Sequence, residues 1–150
     1  MKARAQELLE KGFHCSQAVL VVSQEKLNKV NKEIVRALGG FGGGFAGTGN
    51  VCGCMAGGMA IISSVYSKGE ADEKEDVRLW KVGRLFVKEF EKLTEPYGGI
   101  TCMDITGVDW TDREQVKRYY SGADGNREKC LTIVGETARI LGEIFEQADK

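Results

Sequence analysis

The sequence predicts an all-α protein: a compact single-domain helical bundle of five to seven helices with a glycine-rich loop. Two observations favour this fold class. Apolar residues recur at spacings of three and four along most of the chain, and no segment alternates apolar and polar residues as a half-buried strand would. The chain has 150 residues, 42% hydrophobic and 29% charged. This size and composition suit one ordinary domain, which we expect to span residues 1–150.

The first half of the chain is predicted to form four helices. Helices at 3–11 and 16–27 come first, and the second would bury a stripe made of Cys15, Ala18, Val19 and Val22. A third should begin after Asn31, a typical N-cap residue. Residues 39–58 contain ten glycines. Such a run is unfavourable for regular secondary structure, because glycine loses more conformational entropy on folding than other residues. A buried helix at about 52–66 completes this half.

The second half is predicted to form three helices. The clearest has an apolar seam made of Leu79, Val82, Gly83, Phe86, Phe90 and Leu93. Pro96 should end it, and a glycine-containing loop then delivers Cys102. A Thr-x-x-Glu capping box at Thr111 predicts the next helix. The last helix, at about 128–148, places Cys130 on its apolar stripe.

Charge and hydropathy exclude several classes of function. The net charge of −1 leaves no basic footprint for nucleic acid or for an anionic membrane. The longest apolar runs have about eight residues, well short of a membrane span, so we expect no membrane insertion. The N-terminal segment is typical of an amphipathic helix, not a signal peptide. We therefore expect a cytoplasmic protein. Hydrolysis has little support, because no Ser/His/Asp set or paired carboxylates stand out.

The five cysteines are the residues most suited to chemistry. In a reducing compartment, thiols serve as metal ligands, redox centres or small core residues more often than as structural disulfides. No Cys-x-x-Cys pair occurs, which disfavours a thioredoxin-type site and a zinc ribbon. Any shared site must therefore be assembled by folding. Cys15 and Cys130 could equally be packing residues on their stripes, whereas Cys52 at a helix N-terminus should have a lowered pKa.

Cys52 and Cys54 are expected to play different parts. If residues 52–66 are helical, the two side chains lie roughly 200° apart around the axis and cannot easily ligate one centre. We expect Cys52 to belong to the site and Cys54 to pack. His14, the only histidine, could adjust the pKa of the neighbouring Cys15 thiol or serve as a metal ligand. A lone histidine near a helix start more often has no direct functional role.

The glycine run contains a literal G-x-G-x-x-G match at Gly42–Gly47. That fingerprint requires a preceding strand and a βαβ unit, and neither is predicted here, so we expect no nucleotide. The backbone amides of the run could still bind an anion or hydrogen-bond to sulfur.

Four segments together resemble the C_GCAxxG_C_C family of redox-active proteins. In chain order they are Gly12-Phe-His-Cys15-Ser-Gln-Ala-Val, Cys52-Gly-Cys-Met-Ala-Gly57, Cys102-Met-Asp-Ile-Thr-Gly-Val-Asp109 and Cys130-Leu-Thr-Ile-Val134. In this alignment Cys54 replaces an alanine. An alternative register takes Gly53-Cys54 as the motif and leaves Cys52 extra.

The resemblance implies a redox function for the quartet Cys15, Cys52, Cys102 and Cys130. Members of the family look related to the cysteine-bearing part of split-Soret cytochromes, which implies an iron–sulfur centre held by these four thiolates. The haem-attachment pattern Cys-x-x-Cys-His is absent, so haem is not expected.

Three functions stay open at this point. The first is an iron–sulfur or other Cys₄ metal centre for electron transfer or sensing. The second is thiol–disulfide redox chemistry in which the same four cysteines are the catalytic residues. The third is a non-catalytic interaction module with structural cysteines. If the protein is an enzyme, it should be an oxidoreductase; an unidentified redox partner protein and a homodimer are the expected assemblies.

Overall fold

Eight α-helices build the protein in the computed structural model, which describes all residues 1–150. They are α1 Lys2–Glu10, α2 Cys15–Leu27, α3 Lys32–Ala37, α4 Gly53–Tyr66, α5 Arg78–Thr94, α6 Cys102–Thr106, α7 Arg113–Ser121 and α8 Asn126–Ala148. There are no strands, and a single antiparallel bridge joins Val51 to Thr101. The all-α prediction is confirmed, but the helix count is eight instead of five to seven. None of these helices has the length and apolar character needed to cross a bilayer.

The core forms where α2, α4, α5 and α8 meet. The long helix α8 also packs against α1 and α6, so it is in contact with most of the molecule. The apolar seam predicted for α5 is confirmed, since Phe86 and Phe90 are fully buried. Each such aromatic side chain contributes about 1.5–3 kcal/mol on burial.

Glycines allow α4 to approach α2 unusually closely. A Cβ atom at Gly57 would lie 2.3 Å from the carbonyl oxygen of Ser16, and one at Gly53 would lie 2.6 Å from the Sγ of Cys15. Ser16 is itself buried and donates a hydrogen bond to the carbonyl of Leu38 over 2.7 Å. The N-termini of α2 and α4 are therefore held side by side, together with the cysteines that they carry.

Two helix starts differ from the sequence prediction. Cys102 was expected in a loop but is the first residue of α6, because the Thr101 side chain accepts a hydrogen bond from the backbone N–H of Asp104 over 3.0 Å. This short capped turn is the extra helix. Asp112, not Thr111, caps α7 by accepting from two backbone N–H groups. The Thr111 hydroxyl donates a hydrogen bond to the carboxylate of Asp109 instead.

Candidate functional site: a cavity lined by five cysteines

All five cysteines line one cavity of about 550 Å³. Its walls come from the N-terminal ends of α2 and α4, the glycine run before α4, and helices α6, α7 and α8. The cysteines are spread over more than a hundred residues of sequence, so only the tertiary fold brings them together. The expectation that any shared site is assembled by folding is confirmed.

Three of the thiols form a compact group. The Sγ atoms of Cys15, Cys52 and Cys54 all lie within 4.8 Å of one another. Cys52 and Cys54 are 7% and 1% exposed, and Cys15 is half-buried. Three sulfurs at this separation can bind one metal ion or exchange disulfide bonds among themselves.

The prediction that Cys52 and Cys54 face opposite ways is wrong. Cys52 is the N-cap of α4 and has an extended backbone, with φ −55° and ψ 134°, so the helix begins only at Gly53. The rotation of about 100° per residue applies inside a helix and therefore does not separate these two side chains. Cys54 is buried, as expected of a packing residue, yet its sulfur also faces the site.

Hydrogen bonds among the three cysteines shift their thiol pKa values in different directions. The pKa of Cys15 lies well below its usual value of 9.0, because hydrogen bonds from the thiols of Cys52 and Cys54 stabilise its thiolate. The backbone N–H of Ser16, in the first turn of α2, adds to this effect. The lowered pKa expected for Cys52 at a helix N-terminus is wrong, because the hydrogen bond with Cys15 and burial raise it instead. The pKa of Cys54 is raised by hydrogen bonds with Cys15 and Cys52 and then by burial. Cys15 is thus the thiol of the group that loses its proton most readily.

Backbone pairing holds the segment that carries Cys102 beside the segment that carries Cys52. The N–H of Cys102 donates to the carbonyl of Asn50 over 2.7 Å, and the N–H of Cys52 donates to that of Ile100 over 2.9 Å. The side chain of Trp110 donates from Nε1 to the Sγ of Cys102 over 3.3 Å. Burial raises the pKa of Cys102, and the Trp110 donor partly offsets this rise.

Cys130 lies on α8 and also lines the cavity. Burial raises the pKa of its thiol to about 12, and the neighbouring Tyr119 side chain partly offsets the effect. Cys102 and Cys130 thus line the cavity without belonging to the three-thiol group. Sequence reasoning missed Trp110 and Tyr119, because neither lies on a predicted apolar stripe or within a quoted motif.

The glycine run forms a tightly wound left-handed segment beside the thiols. Residues 43–47 all have positive φ, between 56° and 71°, and they include Phe45 and Ala46, for which this conformation is strained. A Cβ at Gly44 would lie 2.5 Å from the carbonyl oxygen of Asn50 and 2.8 Å from the Cβ of Cys102. The run is a close-packed wall, and the segment before it is a helix, not the strand that a dinucleotide fingerprint needs.

His14 caps the start of α2. Its backbone N–H donates to the side chain of Gln17 over 3.2 Å, and its ring lies against Gly42, where a Cβ would be 2.9 Å from Cγ. The side chain is exposed. These contacts give His14 a structural part at the rim of the cavity.

A helical bundle whose buried thiols share one cavity defines a cysteine-cluster protein suited to redox or metal chemistry. The chain matches, over residues 13–144, the family described as "Putative redox-active protein (C_GCAxxG_C_C)". It belongs to this family, as the sequence motifs predicted. It is also 28% identical over 145 residues to a protein of Archaeoglobus fulgidus described as "Uncharacterized protein", a similarity that covers 93% of this chain and 89% of the relative. No solved structure matches the chain.

Proposed function

We propose that the cavity holds an iron–sulfur centre, or another cysteine-bound metal, that serves in electron transfer or redox sensing. The observation that carries this proposal is the group of three Sγ atoms within 4.8 Å of one another. Two thiolates bound to one metal ion at about 2.3 Å lie within roughly 4.6 Å of each other. The three thiols therefore need little movement to act as ligands of a single metal ion.

The donor set fits such a centre in number and in chemistry. Thiolates are the usual protein ligands of iron–sulfur clusters, and Cys15 is already stabilised in this form by its neighbours. Cys15, Cys52 and Cys54 would supply three ligands, and Cys102 the fourth. Cys130, which belongs to the predicted quartet, is the alternative fourth ligand on the same cavity.

The rest of the site supports a protected redox group. A bound iron–sulfur centre would supply one-electron chemistry, and the protein would exclude water and adjust its potential. Burial of Cys52 and Cys54 limits solvent access. The indole N–H of Trp110 already donates to the sulfur of Cys102, and such donors shift the potential of a thiolate-bound centre.

Anaerobic purification tests the proposal directly. The full chain should contain iron and acid-labile sulfide, with visible absorbance that bleaches on reduction. Cys15→Ser, Cys52→Ser and Cys54→Ser should each lose most of the iron while keeping the helical circular dichroism signal. Wild-type protein that is folded but carries neither metal nor visible absorbance would contradict the proposal.

Thiol–disulfide chemistry is a second candidate, favoured by the lowered pKa of Cys15 beside two thiols whose pKa values are raised. Attack by the Cys15 thiolate on a partner's disulfide would form a mixed disulfide. A second thiol, from Cys52 or Cys54, would then resolve it, leaving one new disulfide in this chain and two thiols in the partner. Alkylation and mass spectrometry of metal-free protein should show reversible loss of two hydrogens, and an unchanged mass after oxidation would exclude this cycle.

In either case we propose a cytoplasmic protein that exchanges electrons with a separate redox partner protein, with a homodimer as its assembly. Size-exclusion chromatography with light scattering tests the assembly. If serine substitutions at Cys15 and Cys54 changed neither metal content nor any redox response, the third hypothesis, an interaction module with structural cysteines, would replace both proposals.

A further inference from the structure

The cavity also carries a second set of side chains, none of which is a proposed metal ligand. Four aromatic residues, one histidine and one arginine line it beside the thiols: Phe13, His14, Trp110, Tyr119, Tyr120 and Arg127. The volume of about 550 Å³ falls in the usual range of small-molecule sites, about 300–1,000 Å³. The cavity is therefore large enough for a small organic ligand, and its lining has the apolar walls and few polar groups of such sites.

Arg127 is the polar group of interest. The residue is half-buried, and its guanidinium forms no ion pair or side-chain hydrogen bond with the rest of the chain, whereas four of the other seven arginines are paired with carboxylates. The group lies over the rings of Tyr119 and Tyr120, at 5.8 Å and 5.5 Å from their centroids. Stacking holds the guanidinium in place, and its N–H donors remain available for an anionic acceptor.

The aromatic residues form a connected set around Arg127. Trp110 and Tyr119 meet edge to face with centroids 4.9 Å apart, and Tyr119 meets Tyr120 in the same way at 5.1 Å. Tyr120 is 60% exposed, so much of its ring is free to contact a ligand. Aromatic rings of this kind favour flat apolar partners.

We propose that this part of the cavity binds a flat aromatic small molecule that carries an acidic group. The acidic group would pair with Arg127 and the ring would lie against Tyr120 and Trp110. Glu10 is the carboxylate of the lining, but it is exposed to solvent, where screening weakens its repulsion. The inference goes beyond the metal centre and does not depend on it, because none of the residues involved is a cysteine.

Isothermal titration calorimetry on the anaerobically purified full chain tests the inference with two matched probes. Naphthalenesulfonate is flat and anionic, and naphthalenesulfonamide has the same ring system without the charge. The sulfonate should bind, and more tightly than the sulfonamide. Arg127→Gln should weaken sulfonate binding by about tenfold or more, as loss of a charged hydrogen-bond partner implies. The control Arg113→Gln, at an exposed arginine outside the cavity, should have no effect.

Two further variants test the aromatic contact. Tyr120→Phe keeps the ring and should bind the sulfonate as wild type does, whereas Tyr120→Ala should bind it several-fold more weakly. Raising the salt concentration on the wild-type protein should weaken the sulfonate but not the sulfonamide, which tests the charge even if a variant fails to fold. Equal binding of both probes, unchanged affinity in Arg127→Gln, or no binding at millimolar concentration would each overturn the inference. Iron measured on the same samples decides the metal proposal separately.

Discussion

The indole nitrogen Nε1 of Trp110 donates a hydrogen bond to the Sγ of Cys102 over 3.3 Å. The same side chain packs against the glycine run, since a Cβ at Gly43 would lie 3.3 Å from the Cδ1 of Trp110 and one at Gly47 would lie 3.3 Å from its Cβ. It also meets the ring of Tyr119 on α7. One side chain thus connects three walls of the cavity and donates a hydrogen bond to one of its sulfurs.

Trp110→Phe should remove the hydrogen-bond donor and keep an aromatic ring in place. Because the donor lowers the pKa of Cys102, its loss should raise that pKa and slow alkylation of Cys102 at a given pH. The rate of iodoacetamide labelling, followed by peptide mass spectrometry on reduced metal-free protein, measures the effect. Labelling of Cys130 provides the internal control. Faster labelling of Cys102 at unchanged stability would show that the donor does not stabilise the thiolate.

Gly57→Ala should push α2 and α4 apart. Its Cβ would lie 2.3 Å from the backbone oxygen of Ser16, and backbone cannot move aside as a flexible side chain can. We expect a loss of about 1–3 kcal/mol in the free energy of unfolding. If the cavity holds the metal centre proposed above, its retention should also weaken, because the thiols on the two helices separate. Urea denaturation checks the first effect and iron content the second.

Gly69→Ala is the matched control for that prediction. The nearest atom to its Cβ would be 3.9 Å away, with no positive φ, so stability should change by less than about 0.5 kcal/mol. Equal stability losses in the two variants would show that close approach of α2 and α4 is not what Gly57 provides.

Periodicity predicted much of the fold because helix packing leaves a regular pattern in the sequence. The seam of α5 through Phe86 and Phe90 is buried as expected, and Asn31 caps α3 through its side chain. The helix α6 was missed because five residues are too few to show a period, and its start depends on one local hydrogen bond between Thr101 and Asp104.

The sequence predicted that cysteines would come together in one site, but not which of them would form the compact group. Motifs indicated a shared cysteine site, and all four members of the predicted quartet do line the cavity. Whether Cys54 joins Cys52 depended on where α4 begins, a difference of one residue that sequence patterns do not resolve. Trp110 and Arg127 could not be found from spacing, because their importance comes from contacts made by the tertiary fold.

Glu136→Gln should make the stability of the protein less dependent on pH. Its carboxylate pairs with Lys2 on α1 and with Arg139 on α8, and the Lys2 contact is the main reason that its pKa is lowered from 4.5. A lowered pKa means that the stabilisation is present above about pH 4.5 and is lost as pH falls through the folded-state value. The variant should therefore be less stable than wild type at pH 7, by up to about 1 kcal/mol.

The two proteins should converge in stability as the pH falls from 4.5 through the lowered folded-state pKa of Glu136, as measured by thermal unfolding across a pH series. Glu91→Gln is the control, because Glu91 is exposed and forms no ion pair. A stability difference that stayed constant down to acidic pH would mean that the ion pair is not its source.

Gly44→Ala should damage the wall between the glycine run and Cys102. The residue has φ +68°, and its Cβ would meet the carbonyl oxygen of Asn50 at 2.5 Å as well as the side chain of Cys102. Gly122→Ala separates the effect of backbone strain from the effect of the steric clash, because Gly122 has a similar φ of +76° but open space around its Cβ. The control should lose only about 1–2 kcal/mol from backbone strain, whereas Gly44→Ala should lose more and should also lose metal, since Asn50 positions Cys102 through a backbone hydrogen bond. Urea titrations and iron analysis on both variants decide the point, and equal losses of stability with full iron content in both would show that the glycine run does not shape the cysteine site.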